Sequence, residues 1–88
     1  MSLLSSPLVA GKLRGTVYTF EKTGDILSMH THTVGTEHIT IVARGRVRIH
    51  GNDWEMEKSS GAVIDFPPEQ SHEFVALEDN SRIVNIIK

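Results

Sequence analysis

The sequence predicts an all-β domain, a sandwich or a closed barrel, and three observations carry that prediction. From Lys12 onward apolar and polar residues alternate with a period of two, and no stretch sustains the i, i+3, i+4 stripe of an amphipathic helix. Clusters of Gly, Ser, Asn and Asp punctuate this pattern roughly every 8–12 residues, the spacing of short strands joined by turns. The strand-like segments are rich in β-branched Val, Ile and Thr, which suit a pleated, half-buried surface.

Residues 1–11 precede the pattern, and Ser5, Ser6 and Pro7 interrupt any periodicity there. This segment is expected to be an N-terminal arm, either loose or exchanged across a dimer with Leu3, Leu4, Leu8 and Val9 as anchors; residues 12–88 form the single domain. Lys12–Glu21 is a first strand with a kink expected at Gly15. Lys22-Thr23-Gly24-Asp25 is turn chemistry, since Gly24 tolerates positive φ and Asp25 can accept from its own backbone. Ile26–His32 is a second strand and Thr33–Thr36 a loop. His38–Ala43 is a β-branched third strand, turned by Arg44-Gly45.

Val47 and Ile49 alternate with Arg46, Arg48 and His50, a fourth strand with one wet face on which His50 is expected to be simply exposed. Gly51-Asn52-Asp53 turns it into Trp54–Lys58. After Ser59-Ser60-Gly61 comes Ala62–Phe66, ended by Pro67-Pro68, which cannot donate to a ladder. Ser71–Leu77, a turn at Glu78–Ser81, and Arg82–Ile87 complete eight expected strands. Trp54, Met56, Phe66 and Phe74 are assigned to the core, although Phe74 is also a candidate for the pocket mouth. Tyr18 and Asp65 are candidate pocket groups.

Size and composition narrow the function. A chain of 88 residues buries only about 60–65% of the surface it exposes when unfolded, so small domains of this kind usually add disulfides, a metal or a partner subunit. There is no cysteine, which removes disulfides and thiolate ligands and leaves histidine and carboxylate ligation or oligomerisation. With a net charge of −2 and no basic run, nucleic acid is excluded as the main partner. No apolar run approaches the roughly 18 residues of a membrane span, and Met1–Ala10 lacks the features of a signal peptide. A cytoplasmic location is expected.

The chemistry-bearing stretch is Met29–His38, which holds three of the five histidines. On a uniform strand Ser28, His30 and His32 share a face, with the two histidine Cα atoms roughly 7 Å apart, close enough for both imidazoles to reach one metal ion. His-x-His alone is a weak motif in so histidine-rich a chain. His72 shares a face with Phe74 and Ala76. The third strand offers two parities: Glu37 with Ile39 and Ile41, or His38 with Thr40 and Val42. If the strands close on one lumen, His30, His32, His72 and either Glu37 or His38 meet there. Such a set suits a borderline divalent metal: Zn, Fe, Ni, Cu or Mn.

At this point the sequence resembles the cupins. Gly24-x5-His30-x-His32, followed by an acidic or histidine ligand and Gly45, is similar to the first cupin motif; Gly61-x5-Pro67-x-Glu69-x2-His72 is similar to the second. The resemblance spans some two-thirds of the chain and implies a double-stranded β-helix, a jelly-roll barrel of the small, single-domain, conserved-barrel type. The family's usual glutamate, with six residues between it and the glycine, falls on His38 rather than Glu37. Strand register therefore favours His38 as fourth ligand, with Glu37 in reserve. Glu69 stands where the family has glycine and Ala76 where it has asparagine; neither change removes a ligand.

The resemblance implies a metal-binding cupin with a mostly histidine shell and dioxygenase- or lyase-like chemistry on a small chelating substrate held in the barrel. The alternative is a non-catalytic binding or sensing module. A metal-free epimerase or isomerase fits less well, because it needs a base and an acid rather than convergent ligands. A homodimer is expected through apolar faces such as Ile39/Ile41 and Val75/Leu77, opposite the ligands.

Overall fold

The structure is a computed structural model that describes residues 3–30, 38–66 and 71–87, with side chains at all of these except Met29, His30 and His38. Among them lie nine strands and no helix: β1 (Leu3–Ala10), β2 (Leu13–Phe20), β3 (Ile26–His30), β4 (His38–Arg44), β5 (Arg46–His50), β6 (Glu55–Ser59), β7 (Val63–Phe66), β8 (His72–Ala76) and β9 (Ser81–Ile87). They form a five-stranded sheet in the order β1-β2-β9-β4-β7 and a four-stranded sheet in the order β3-β8-β5-β6. Only the β1–β2 and β5–β6 hairpins stay within one sheet; every other connection crosses from one to the other. All pairings are antiparallel. The chain is a jelly-roll barrel.

Alternation sets the core. On β5 Val47 and Ile49 are fully buried while Arg46 and Arg48 are exposed. From the other sheet Phe20, Val42, Ile64, Phe66 and Ile83 meet them, together with Phe74 and Ala76 of β8. Trp54 and Met56 pack against this cluster from its rim.

Two expectations are corrected here. Residues 3–10 are not a loose terminus but a strand, in continuous register with β2 from Leu3↔Phe20 to Ala10↔Leu13. Pro7 is tolerated because β1 is an edge strand, where a missing N–H can face away from the ladder. Gly15 is not a kink: β2 runs straight through it, and a Cβ there would collide with the backbone of Asn85 on β9.

The passage from β4 into β5 carries the chain between sheets at Gly45, whose φ is +75°. Beside it the buried Ser81 hydroxyl has the carbonyls of Glu78 (2.9 Å) and Arg46 (3.1 Å) as acceptors for its one proton and accepts from the Arg46 N–H (3.2 Å). At the other crossing, the turn before β3 forms as its residues dictate: Asp25 accepts from the Lys22 N–H at 3.0 Å. Asp79 in the β8–β9 turn accepts from Thr23, N–H at 2.8 Å and hydroxyl at 2.9 Å, tying the two turns together. These bonds, the backbone one first, hold the Asp79 carboxyl below its ordinary pKa of 3.8.

A Gly45→Ala substitution combines left-handed backbone strain with a collision against Ser81, and is expected to lower unfolding stability by about 2–3 kcal/mol in urea titrations. Because the folded-state pKa of Asp79 is depressed, its contribution is full above 3.8 and is lost as pH falls below that value through the folded pKa. The difference in melting temperature between the parent and Asp79→Asn is therefore expected to be constant near neutrality and to vanish in strong acid.

Candidate functional site

The site is built outward from β8. His72, Phe74 and Ala76 alternate into the interior as expected, and the His72 side chain is completely buried. Its ring stacks on Phe66 of β7, with centroids 4.1 Å apart and planes at 12°, and meets the edge of Phe74 at 5.5 Å. Phe66 and Phe74 are themselves perpendicular at 6.0 Å, and Trp54 lies beyond Phe66 at 6.3 Å. The imidazole is thus clamped between aromatic faces and edges contributed by both sheets, a favourable arrangement for rings of this kind. Phe74 is core, not pocket mouth.

On β3 the expected parity fails in an informative way. Leu27 pairs with Phe74 and His30 pairs with His72, so three steps on β3 match two on β8, and a bulge lies between. The extra residue shifts the pleat by one. Ser28 is exposed, and Leu27 rather than Ser28 packs against the core; past the bulge, the His30 position stands directly across from His72.

On β4 the buried parity is the even one: Thr40 is 1% and Val42 0% exposed, whereas Ile39 and Ile41 are half-buried on the outer side. His38 is the even position that begins the strand, in register with Phe66 of β7 on one side and Ile87 of β9 on the other. One path therefore joins three of the four expected ligand positions: His30 opposite His72, His72 stacked on Phe66, Phe66 opposite His38. His32 and Glu37 lie outside the described residues, as do Pro67, Pro68 and Glu69 of the second motif. Among the described side chains, no group of three or more His, Asp or Glu is gathered as metal ligands.

Two other candidates fall elsewhere. Asp65 is exposed and sits opposite Ile39 on the outer face, so it is not a pocket group. His50 is not simply exposed: it is half-buried on the outer face of the four-stranded sheet, with Nε2 3.3 Å from the carboxylate of its cross-strand partner Glu73. Tyr18 is half-buried and packs against the core, opposite Ile83.

One feature of the interior escaped the sequence reading. Thr40 and Asn85, cross-strand partners on β4 and β9, are both buried, and the Thr40 hydroxyl donates to Asn85 Oδ1 at 2.5 Å. The signal was present: Asn85 is the one polar residue in Ile83-Val84-Asn85-Ile86-Ile87, at the parity of the buried Ile83.

No protein-family model and no curated protein matches the sequence. Solved structures do match in fold. The Cupin_2 domain of an XRE-family transcriptional regulator from Enterobacter cloacae superposes with a TM-score of 0.83 at 14% identity, over 99% of this chain and 96% of that one. KdgF from a Halomonas species gives 0.82 at 20% identity, over 97% and 76%. A predicted oxalate decarboxylase from Thermotoga maritima gives 0.81 at 17% identity, over 97% and 78%. With its nine antiparallel strands crossing between two sheets, and with these structural neighbours, this chain has the cupin fold.

Proposed function

We propose that this protein is a small metal-binding cupin in which His30, His32, His38 and His72 hold one divalent transition metal, Zn, Fe, Ni, Cu or Mn, with Glu37 replacing His38 if the loop before β4 presents it instead. The observation that carries this reading is the register that sets His30 opposite His72 and joins them through Phe66 to the start of β4. The donor chemistry fits. Imidazole suits these borderline metals, and in a chain without cysteine it is the strongest ligand available. Bound there, the cation supplies a Lewis acid of undiminished charge, since neutral imidazoles contribute none, and polarises a chelating ligand. The protein's own part is positional: Phe66 and Phe74 fix the plane of the His72 ring and keep bulk water from it. The reaction this arrangement serves best is dioxygenase- or lyase-like, on a small chelating substrate.

A second reading, a binding or sensing module, is favoured by a specific observation. Among the described residues the buried polar ones are Thr40, His72, Ser81 and Asn85, so no buried Asp, Glu, Lys or Arg is at hand for proton transfer. The similar fold of the Enterobacter regulator's domain supports the same reading.

Self-association is part of the proposal, as a homodimer. On the outer face of the five-stranded sheet, Val17, Val84, Ile41 and Val63 are in register across four strands, flanked by Leu8, Ile86 and Ile39. All are half-buried or exposed in the single chain, Val63 at 65%. An apolar patch continuous over four strands is unusual on a monomer, and pairing it about a two-fold axis would cover it on both copies. Face pairing is favoured over edge pairing because Pro7 removes a donor from the middle of the β1 edge.

Elemental analysis of untagged protein is expected to find close to one transition-metal ion per chain; none, even after soaking, refutes the metal reading. His38→Ala is expected to weaken metal affinity on the order of 100-fold and Glu37→Ala hardly at all; the reverse result assigns the ligand to Glu37. Oxygen uptake or product formation on small chelating acids and diketones separates the enzyme from the sensor. In sedimentation at micromolar concentration the parent is expected to be a dimer and Ile41→Arg a monomer; a monomeric parent rules the interface out.

A further inference from the structure

Beside the row that contains His38 lies a polar band in a largely apolar interior. Thr16 of β2, Asn85 of β9 and Thr40 of β4 stand side by side in one register row, with Ile64 of β7 completing it. The neighbouring row is Arg14, Ile87, His38 and Phe66, so the band is one step, roughly 7 Å along the strands, from the His38 position.

The pair is nearly enclosed, but the amide nitrogen of Asn85 keeps some open surface and is not sealed off without a partner. Thr40 is 1% and Asn85 7% exposed. The Thr40 hydroxyl spends its one proton on Asn85 Oδ1 and thereby fixes the orientation of the amide plane. Among the described residues no hydrogen bond takes the Asn85 Nδ2 protons. A neutral, oriented donor is thus left within the barrel.

We infer that Asn85, held by Thr40, binds a neutral oxygen of the ligand: its Nδ2 donates to a carbonyl or hydroxyl remote from the metal-chelating end. This deepens the metal-binding reading and rests on it. The ligand class follows from charge. Among the described residues no Arg or Lys is buried, so a second carboxylate at this depth has no partner, whereas a carbonyl or hydroxyl matches a neutral amide. The ligand is then a small monoanion, a chelating carboxylate at one end and an uncharged oxygen at the other.

The test uses the full chain loaded with Zn and two probes by calorimetry: pyruvate, which chelates but has no remote oxygen, and 2,4-dioxopentanoate, which adds a remote carbonyl. The parent is expected to bind the second more tightly, and Asn85→Leu to lose about 5- to 10-fold on it alone, the worth of one neutral hydrogen bond. Thr40→Val, which frees the amide to rotate, is expected to lose part of the same discrimination and serves if Asn85→Leu does not fold. Equal losses on both probes, with a lowered melting temperature, would mark the pair as structural and overturn the inference, as would no loss on either. Failure of the parent to take up Zn overturns both this inference and the metal reading; Zn uptake without discrimination between the probes overturns this one alone.

Discussion

The chain has no cysteine, and among the described residues its two sheets share no backbone ladder, so apart from the connecting turns and the hydrogen bonds of Ser81 to Arg46 they are held together by contact between their inner faces. That contact is made by few residues: Phe20, Val42, Ile64, Phe66 and Ile83 from one sheet against Val47, Ile49, Phe74 and Ala76 from the other. Fully burying each of the larger aliphatic or aromatic side chains contributes about 1.5–3 kcal/mol, and in so small a domain none is expendable. The crossings between sheets are tight for the same reason. Gly45 turns where a side chain would strike Ser81, and the β2–β3 and β8–β9 turns are pinned to each other by Thr23 and Asp79. These bonds tie the chain down where it passes from one sheet to the other.

His72 belongs to that core as much as to any site. Its stacking on Phe66 and edge contact with Phe74 make it part of the seam between the sheets. An imidazole whose plane is set by core packing has little freedom left to lose when it binds a ligand, which is how a small scaffold can preorganise a site without a dedicated supporting shell. The bulge on β3 changes the pairing beside it. Without it, the inward parity of Leu27 would continue to Met29 and set the His30 position on the outer side.

The strands were legible because a half-buried pleat writes a period of two into the chain. β4, β5, β8 and β9 carry it plainly, and their buried and exposed parities follow it. β1 was not legible as a strand, because its inner-parity residues, Leu3, Ser5, Pro7 and Val9, lie at the sheet edge with little core to cover. Asn85 was readable as a polar interruption of an apolar run, but not as a partner of Thr40, which is 45 residues away along the chain. The contact of His50 with Glu73 likewise joins distant segments, β5 and β8.

By itself, then, the sequence determined the all-β class, most of the strands and the two histidine motifs at their spacing, because these follow from local alternation and from residue types. Only the tertiary structure decided that β3 is bulged, that the even face of β4 is the buried one, that Asp65 faces out, and that a polar pair lies one step inside the His38 row. The physical reason is that alternation fixes relative faces within one uninterrupted strand. Which face turns inward, and where the pleat skips a residue, are settled between strands, by cross-strand register and by the packing of one sheet against the other.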